Sequence, residues 1–96
     1  MWFAVMDDPE IRNRIVEKLL RKRVVRSHKK RVDTVANWLP SHAQGRGEQL
    51  IRELITDPNA PVEAYGGSRD NVRLASVEDA VEYLKRHDGN VPFGFD

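Results

Sequence analysis

The chain has 96 residues and a formal net charge of +1; 40% of its residues are hydrophobic, 32% are charged and none is cysteine. These figures suit one small domain spanning 1–96, with tails at 1–7 and 90–96, and they exclude disulfide bonds and thiolate zinc sites. No run approaches the roughly 20 apolar residues of a membrane span, and the apolar start lacks the basic leader of a secretory signal, so we expect a cytoplasmic protein without membrane association.

A first helix is predicted over 9–22. Asp8 is a suitable N-cap, Pro9 fits the first helical position and Glu10 complements the helix dipole. An apolar stripe at helical spacing supplies the buried face, namely Ile11, Ile15, Val16, Leu19 and Leu20.

Basic charge is concentrated directly after this helix. Seven of the sixteen Lys and Arg residues lie within 21–31, and no acid lies between Glu17 and Asp33. The rest of the chain is acidic, with nine basic residues against fifteen acids. Such a cluster typically attracts a polyanion, most often nucleic acid, although a solvated surface is the simpler alternative.

The next elements are a short strand and a second helix. Val24–Val25 is a β-branched pair that predicts one or two rungs at a sheet edge, and Ser27 predicts the N-cap of a helix over 28–39. The Lys-Lys-Arg sequence at 29–31 then falls in the first helical turn, where the dipole disfavours cations. This placement indicates an external anion and predicts that these three residues grip phosphate.

A third helix is predicted over 46–56, after a turn at 41–45. Its apolar stripe is Leu50, Ile51, Leu54 and Ile55, and the proline-rich segment at 57–61 ends it.

A β-hairpin follows the third helix. Its predicted strands are 62–65 and 72–75, joined by a six-residue loop that carries Arg69 at its tip. The register predicts an ion pair between Glu63 and Arg73 across the outer face.

The fourth helix has clear boundary signals. Ser76 is its predicted N-cap, with Asp79 at the reciprocal capping-box position. We expect the helix to end near His87, with Gly89 as its C-terminal cap.

The element order resembles the winged helix-turn-helix domain over about residues 8–88. The resemblance implies an α+β fold with a three-helix core, a β-hairpin wing and a C-terminal helix. It matches 28–39 to the positioning helix, 46–56 to the recognition helix and Val24–Val25 to the short first strand. It implies a DNA-binding protein, such as a transcription regulator, whose third helix enters the major groove.

The candidate nucleic-acid-binding residues fall into two groups. At the start of the third helix, Arg46 has the donors to read guanine, and Gln49 has the donor and the acceptor to read adenine, with Gln44 and His42 beside them. The residues expected to contact phosphate are Arg23, Arg26, His28, Lys29, Lys30, Arg31 and, in the wing, Arg69.

Other functions remain open at this stage. An acidic fourth helix (Glu78, Asp79, Glu82) would suit a protein-interaction module with a basic partner, and structured RNA is a further candidate ligand. Large apolar residues near both chain ends leave a homodimer open. Catalysis is not expected, because the three histidines are dispersed and no metal-binding or phosphate-binding motif is present; we expect neither a metal nor a cofactor.

Overall fold

The computed structural model describes residues 6–66 and 68–95. This part of the chain contains four α-helices and a three-stranded antiparallel sheet, so the prediction of an α+β fold is confirmed. None of these helices has the length and hydrophobicity that crossing a bilayer requires. The elements are α1 (Asp8–Arg21), β1 (Lys30–Arg31), α2 (Val32–Asn37), α3 (Gln44–Thr56), β2 (Val62–Tyr65), β3 (Ser68–Leu74) and α4 (Val77–Arg86), with a 3-10 turn at Ser41–Ala43 before α3.

Helix α1 begins one residue before its predicted start. Asp7, not Asp8, is the N-cap, and its carboxylate accepts a hydrogen bond from the backbone N–H of Glu10 at 3.1 Å. This shift leaves the Asp8 carboxylate available for a contact with α3.

Helix α2 is much shorter than predicted. It spans Val32–Asn37 rather than 28–39, and Arg31, not Ser27, occupies the N-cap position. The reason is long-range: Lys30 and Arg31 pair with β3 as strand β1, which takes them out of the helix. The prediction that the cations at 29–31 occupy a helical first turn is therefore wrong, and the dipole argument built on it fails.

The sheet has the order β1-β3-β2. The prediction that Val24–Val25 forms the first strand of this sheet is wrong. These residues make a single parallel bridge, from Val25 to Leu74, and the Leu74 N–H donates a 2.7 Å hydrogen bond to the Val24 carbonyl. The edge position beside β3 is taken instead by β1, whose exposed Lys30 and Arg31 suit a solvent-facing edge, whereas Val24 is buried in the core.

The hairpin is tighter than predicted. Strand β2 ends at Tyr65 and strand β3 begins at Ser68, so two positions separate the strands where a six-residue loop was predicted, and Arg69 lies within β3 rather than at a loop tip. Gly66 has φ +67°, which lets so short a turn close without a steric penalty. The predicted register is correct: Glu63 lies opposite Arg73, and their side chains are joined at 2.7 Å.

One apolar cluster holds the helices and the sheet together. Fully buried leucines and isoleucines of α1 and α3 lie at its centre with Leu74 of β3 and Leu84 of α4. Gly47 is part of this contact, because a Cβ there would clash with the Leu39 side chain. A small residue is thus needed where α3 crosses the end of α2.

The ends of α4 are well defined. The Ser76 hydroxyl accepts from the Asp79 N–H at 3.0 Å, as predicted. At the other end Asp88, not Gly89, takes the left-handed conformation (φ 58°), while the Gly89 N–H donates to the Leu84 carbonyl at 2.7 Å. Gly89 is needed for space instead, since a Cβ would lie 2.7 Å from the Leu84 side chain.

The predicted tails lie at the two ends of the chain. Residues 1–5, including the apolar start, lie outside the described residues. In the C-terminal tail Phe93 is fully exposed, whereas Phe95 is half-buried against the core.

Candidate nucleic-acid interface

Residues 22–30, here called the basic loop, comprise the connection from α1 to β1 together with Lys30, the first residue of β1. The valine pair anchors the loop, since Val24 is buried and its carbonyl accepts from Leu74. Arg23 and Arg26 flank this pair in the left-handed region, with φ of 53° and 58°. The chain therefore turns on both sides of the valines, and the charged side chains of the loop are left exposed.

Three cations of the basic loop lie over aromatic rings. Lys22 is 4.9 Å from the ring centre of Trp38, Arg23 is 4.7 Å from that of Phe95, and Lys29 is 5.2 Å from that of Tyr65. Such contacts occur roughly once per 70–80 residues in proteins, so three within eight positions is a concentration. Ring contacts restrict a cation's position without neutralising its charge, and they also cover the exposed faces of the rings.

Carboxylates neutralise only the two borders of the basic run. Arg21 pairs with the buried Glu17 at 3.3 Å, and Arg31 pairs with Asp33 at 3.2 Å, which lowers the pKa of Asp33. Within the described ranges, no carboxylate forms an ion pair with the basic side chains between these borders, which are Lys22, Arg23, Arg26, His28, Lys29 and Lys30.

Strand β3 supplies a further cation at this surface. Arg73 lies 5.0 Å from the Tyr65 ring centre, donates to the Arg26 carbonyl at 2.8 Å and pairs with Glu63. It therefore fixes the shape of the basic loop from the sheet side. Arg69 lies in the same strand, but its side chain is outside the described part of the structure.

A hollow of about 580 Å³ separates the basic loop from the start of α4. Arg23, Arg26 and His28 line one side of it, and the N-terminal end of α4 lines the other. The positive end of the helix dipole adds to the loop's charge here, although Glu78 at the rim opposes it. The electrostatics of the hollow favour an anion close to the loop.

The arginine predicted to read guanine has intramolecular partners. Arg46 binds the Asp8 carboxylate through two hydrogen bonds, of 2.9 and 2.6 Å, and donates to the Gln49 side-chain oxygen at 2.8 Å. Glu53 lies 3.8 Å away. Hydrogen bonding to Arg46 lowers the pKa of Asp8, and the same bond raises the pKa of Arg46.

The other polar groups of α3 are similarly engaged. Gln44 donates to the Leu39 carbonyl at 3.1 Å, and Arg52 pairs with Glu48 at 3.6 Å and with Asp70 at 3.5 Å. The exposed face of α3 thus carries arginines whose charges are balanced by acids, unlike the basic loop. Among the described residues, the side chains that contact Arg46 are those of Asp8, Gln49 and Glu53, and none of them belongs to the basic loop.

Sequence reasoning missed several residues of this surface. Lys22 belongs to the charged run but was assigned to the end of a helix, and Tyr65, Arg73 and Phe95 are distant in sequence. The predicted pairing of Glu63 with Arg73 was the one sequence signal that involved Arg73. The contacts between cations and rings have no local sequence signal, because the rings are distant from the basic loop in the sequence.

The chain matches no protein-family model, no curated protein and no solved structure. Within residues 6–66 and 68–95, no three His, Asp or Glu side chains gather closely enough to hold a metal ion.

Proposed function

We propose that this protein binds double-stranded DNA by its phosphate backbone, through the basic loop, on a winged helix-turn-helix scaffold. The order helix, strand, helix, helix, hairpin, helix and the sheet order β1-β3-β2 support the scaffold. On this scaffold α3 corresponds to the recognition helix and β2–β3 to the wing. The proposed activity is binding, without catalysis.

The observation that carries the proposal is the contrast between the two groups of cations. The arginines of α3 lie beside carboxylates, whereas the basic loop keeps its charges free of acids and orders three of them on rings. Fixing cations in advance reduces the side-chain entropy that binding must remove. An exposed set of unneutralised charges also costs self-repulsion, which a polyanion would relieve.

The same contrast indicates weak sequence discrimination. Base reading by Arg46 would require it to leave Asp8 and Gln49, and phosphate contacts carry no sequence information directly. We therefore propose a binder that holds the DNA backbone, with affinities for different duplex sequences within about tenfold of one another. A regulator that selects an operator would need α3 to rearrange.

Fluorescence anisotropy with a labelled duplex of about 20 base pairs tests the proposal. The double variant Arg26→Ala, Lys30→Ala removes two cations that have neither ring nor carboxylate partners, so the fold should survive. The charge-matched control is Arg12→Ala, Arg86→Ala, which removes two cations from α1 and α4 outside the loop. We expect DNA binding at least tenfold weaker for the loop variant and less than twofold weaker for the control. Equal losses of affinity in the two variants would mean that DNA binding depends on net charge rather than on the basic loop.

A second candidate, a protein-interaction module, rests on a different surface. The outer face of α4 is acidic at Glu78 and Glu82, Phe95 lines a shallow hollow with these two residues, and Phe93 in the same tail is fully exposed. Exposed aromatic side chains near an interface often anchor a partner. If Phe93→Ser abolished binding to a basic protein partner, and duplex DNA did not bind at about 50 mM salt, this candidate would replace the first.

A further inference from the structure

A cleft of about 810 Å³ lies between α1 and the C-terminal ends of α3 and α4. It is separate from the basic loop, because Arg12, which lines it, precedes Lys22 by ten residues, or about 15 Å along the helix. Its volume falls within the range of small-molecule sites. Nothing in the proposed DNA binding uses it.

Tyr83 forms the base of this cleft. Its side chain is 6% exposed, and its ring lies against that of His87 with 4.3 Å between centres. Burial raises the pKa of Tyr83. Among the nearby charged groups, Arg12 and Arg86 lower this pKa, and Asp57 raises it. The phenol therefore lies among groups of both signs.

The charged side chains that line the cleft come from different elements. Among the described residues, Arg12 on α1 and Arg86 on α4 form no ion pair with a carboxylate, although Asp8 is near enough for Arg12 to help lower the Asp8 pKa. The carboxylates of the cleft lie at the end of α3: the Asp57 carboxylate accepts the Asn59 N–H at 2.9 Å, and Glu53 is 3.8 Å from Arg46. The arginines therefore line the α1 and α4 walls and the carboxylates line the α3 wall, with Arg12, Arg86 and Asp57 all near enough to act on the Tyr83 hydroxyl.

The α1 and α4 walls are held in register. Asn13 donates its side-chain amide to the His87 carbonyl at 2.9 Å, and its side-chain oxygen is buried without a hydrogen-bond partner. Gly89 lies against the same side chain, since a Cβ there would be 3.1 Å from it. The cleft is thus a fixed feature of the packing between these two helices.

We propose that this cleft binds a small zwitterion of the free amino-acid class. The carboxylate lies between Arg12 and Arg86 and accepts from the Tyr83 hydroxyl, and the ammonium group lies at Asp57. A simple anion would meet the acidic wall, and a simple cation would meet the two arginines; only a molecule carrying both charges satisfies both walls. An aromatic side chain would extend the ring pair formed by Tyr83 and His87.

Nuclear magnetic resonance titration of the ¹⁵N-labelled protein with L-phenylalanine tests this site. We expect saturable shifts at Asn13, Asp57 and His87 with a Kd of about 1 mM, and at least tenfold weaker binding of 3-phenylpropionate and of phenethylamine, which each lack one charge. No saturable shift by about 20 mM, or equal binding of 3-phenylpropionate, would overturn the proposal.

Two variants separate ligand contact from folding. Arg12→Ala, Arg86→Ala should abolish the phenylalanine-dependent shifts while retaining the dispersed amide spectrum of the folded protein. Asp57→Asn keeps the acceptor for the Asn59 N–H. It should weaken the binding of phenylalanine at least tenfold and should leave the binding of 3-phenylpropionate no weaker than in the wild type. Unchanged phenylalanine binding in both variants would refute the assignment, and the loop variant Arg26→Ala, Lys30→Ala should bind phenylalanine normally.

Discussion

Replacing Arg26 by glycine should uncouple stability from DNA binding. Arg26 is held at φ 58°, a conformation that costs a residue with a Cβ about 1–2 kcal/mol. Glycine removes that cost but adds about 0.4–1 kcal/mol of chain entropy to the unfolded state. The backbone carbonyl that accepts from Arg73 is unchanged. We therefore expect Arg26→Gly to be more stable by up to about 1.6 kcal/mol, with a rise in Tm of roughly 4–8 °C per kcal/mol in a domain of this size.

The same substitution should weaken DNA binding. One lost phosphate contact lowers the salt slope by about 0.9, which at about 0.1 M salt corresponds to roughly eightfold in Kd, or about 1.2 kcal/mol. Arg26→Ala is the matched control: it keeps the backbone cost, so its stability should stay near wild type while its affinity falls equally.

The assays are urea unfolding followed by circular dichroism and anisotropy with a labelled duplex. If Arg26→Gly unfolded more easily than Arg26→Ala, the left-handed backbone at position 26 would not carry the conformational cost described. If both variants bound DNA like wild type, Arg26 would not contact phosphate.

Three further predictions concern α3 and the aromatic rings. Arg46 lowers the pKa of Asp8 from 3.8, so their interaction stabilises the fold above pH 3.8, and this stabilisation is lost as pH falls through the lower pKa of the folded state. In urea unfolding between pH 7 and 2, Asp8→Asn should lack this pH-dependent part of the free energy of unfolding. Gly45 has open space around it, so Gly45→Ala should stabilise the protein by about 0.5–1 kcal/mol, whereas Gly47→Ala must displace Leu39 and should destabilise it, with denaturant midpoints as the measurement. Because cations cover the rings beside the basic loop, a single strand has little to stack on and should bind at least severalfold more weakly than a duplex of equal length in anisotropy titrations, and equal affinities would contradict this reasoning.

Elements with local signals were predicted well. The cap at Ser76 and the stripe of α1 depend on residues within one or two helical turns, and both are present in the structure. The Glu63–Arg73 pair followed from matching two predicted strands, 62–65 and 72–75, across a six-residue loop, and the pair is present although the connection is shorter. In these cases the residues that decide the structure are neighbours in the sequence.

Elements decided by distant partners were predicted poorly. Pairing of Lys30 with Val72 converts the expected helical turn into a strand, and Arg46 finds Asp8 thirty-eight positions away. No periodicity in either segment encodes those contacts. The location of the basic cluster was therefore predictable, but its conformation and the neutralisation of α3 were not.

The salt dependence of duplex binding tests the central claim most directly. If the five basic-loop cations Lys22, Arg23, Arg26, Lys29 and Lys30 each contact a phosphate, log affinity should fall against log salt with a slope of about −4.5, and Arg26→Ala, Lys30→Ala should reduce the slope to about −2.7. Absence of binding at about 50 mM salt, or a slope that the double variant leaves unchanged, would contradict the claim that the basic loop holds the DNA backbone.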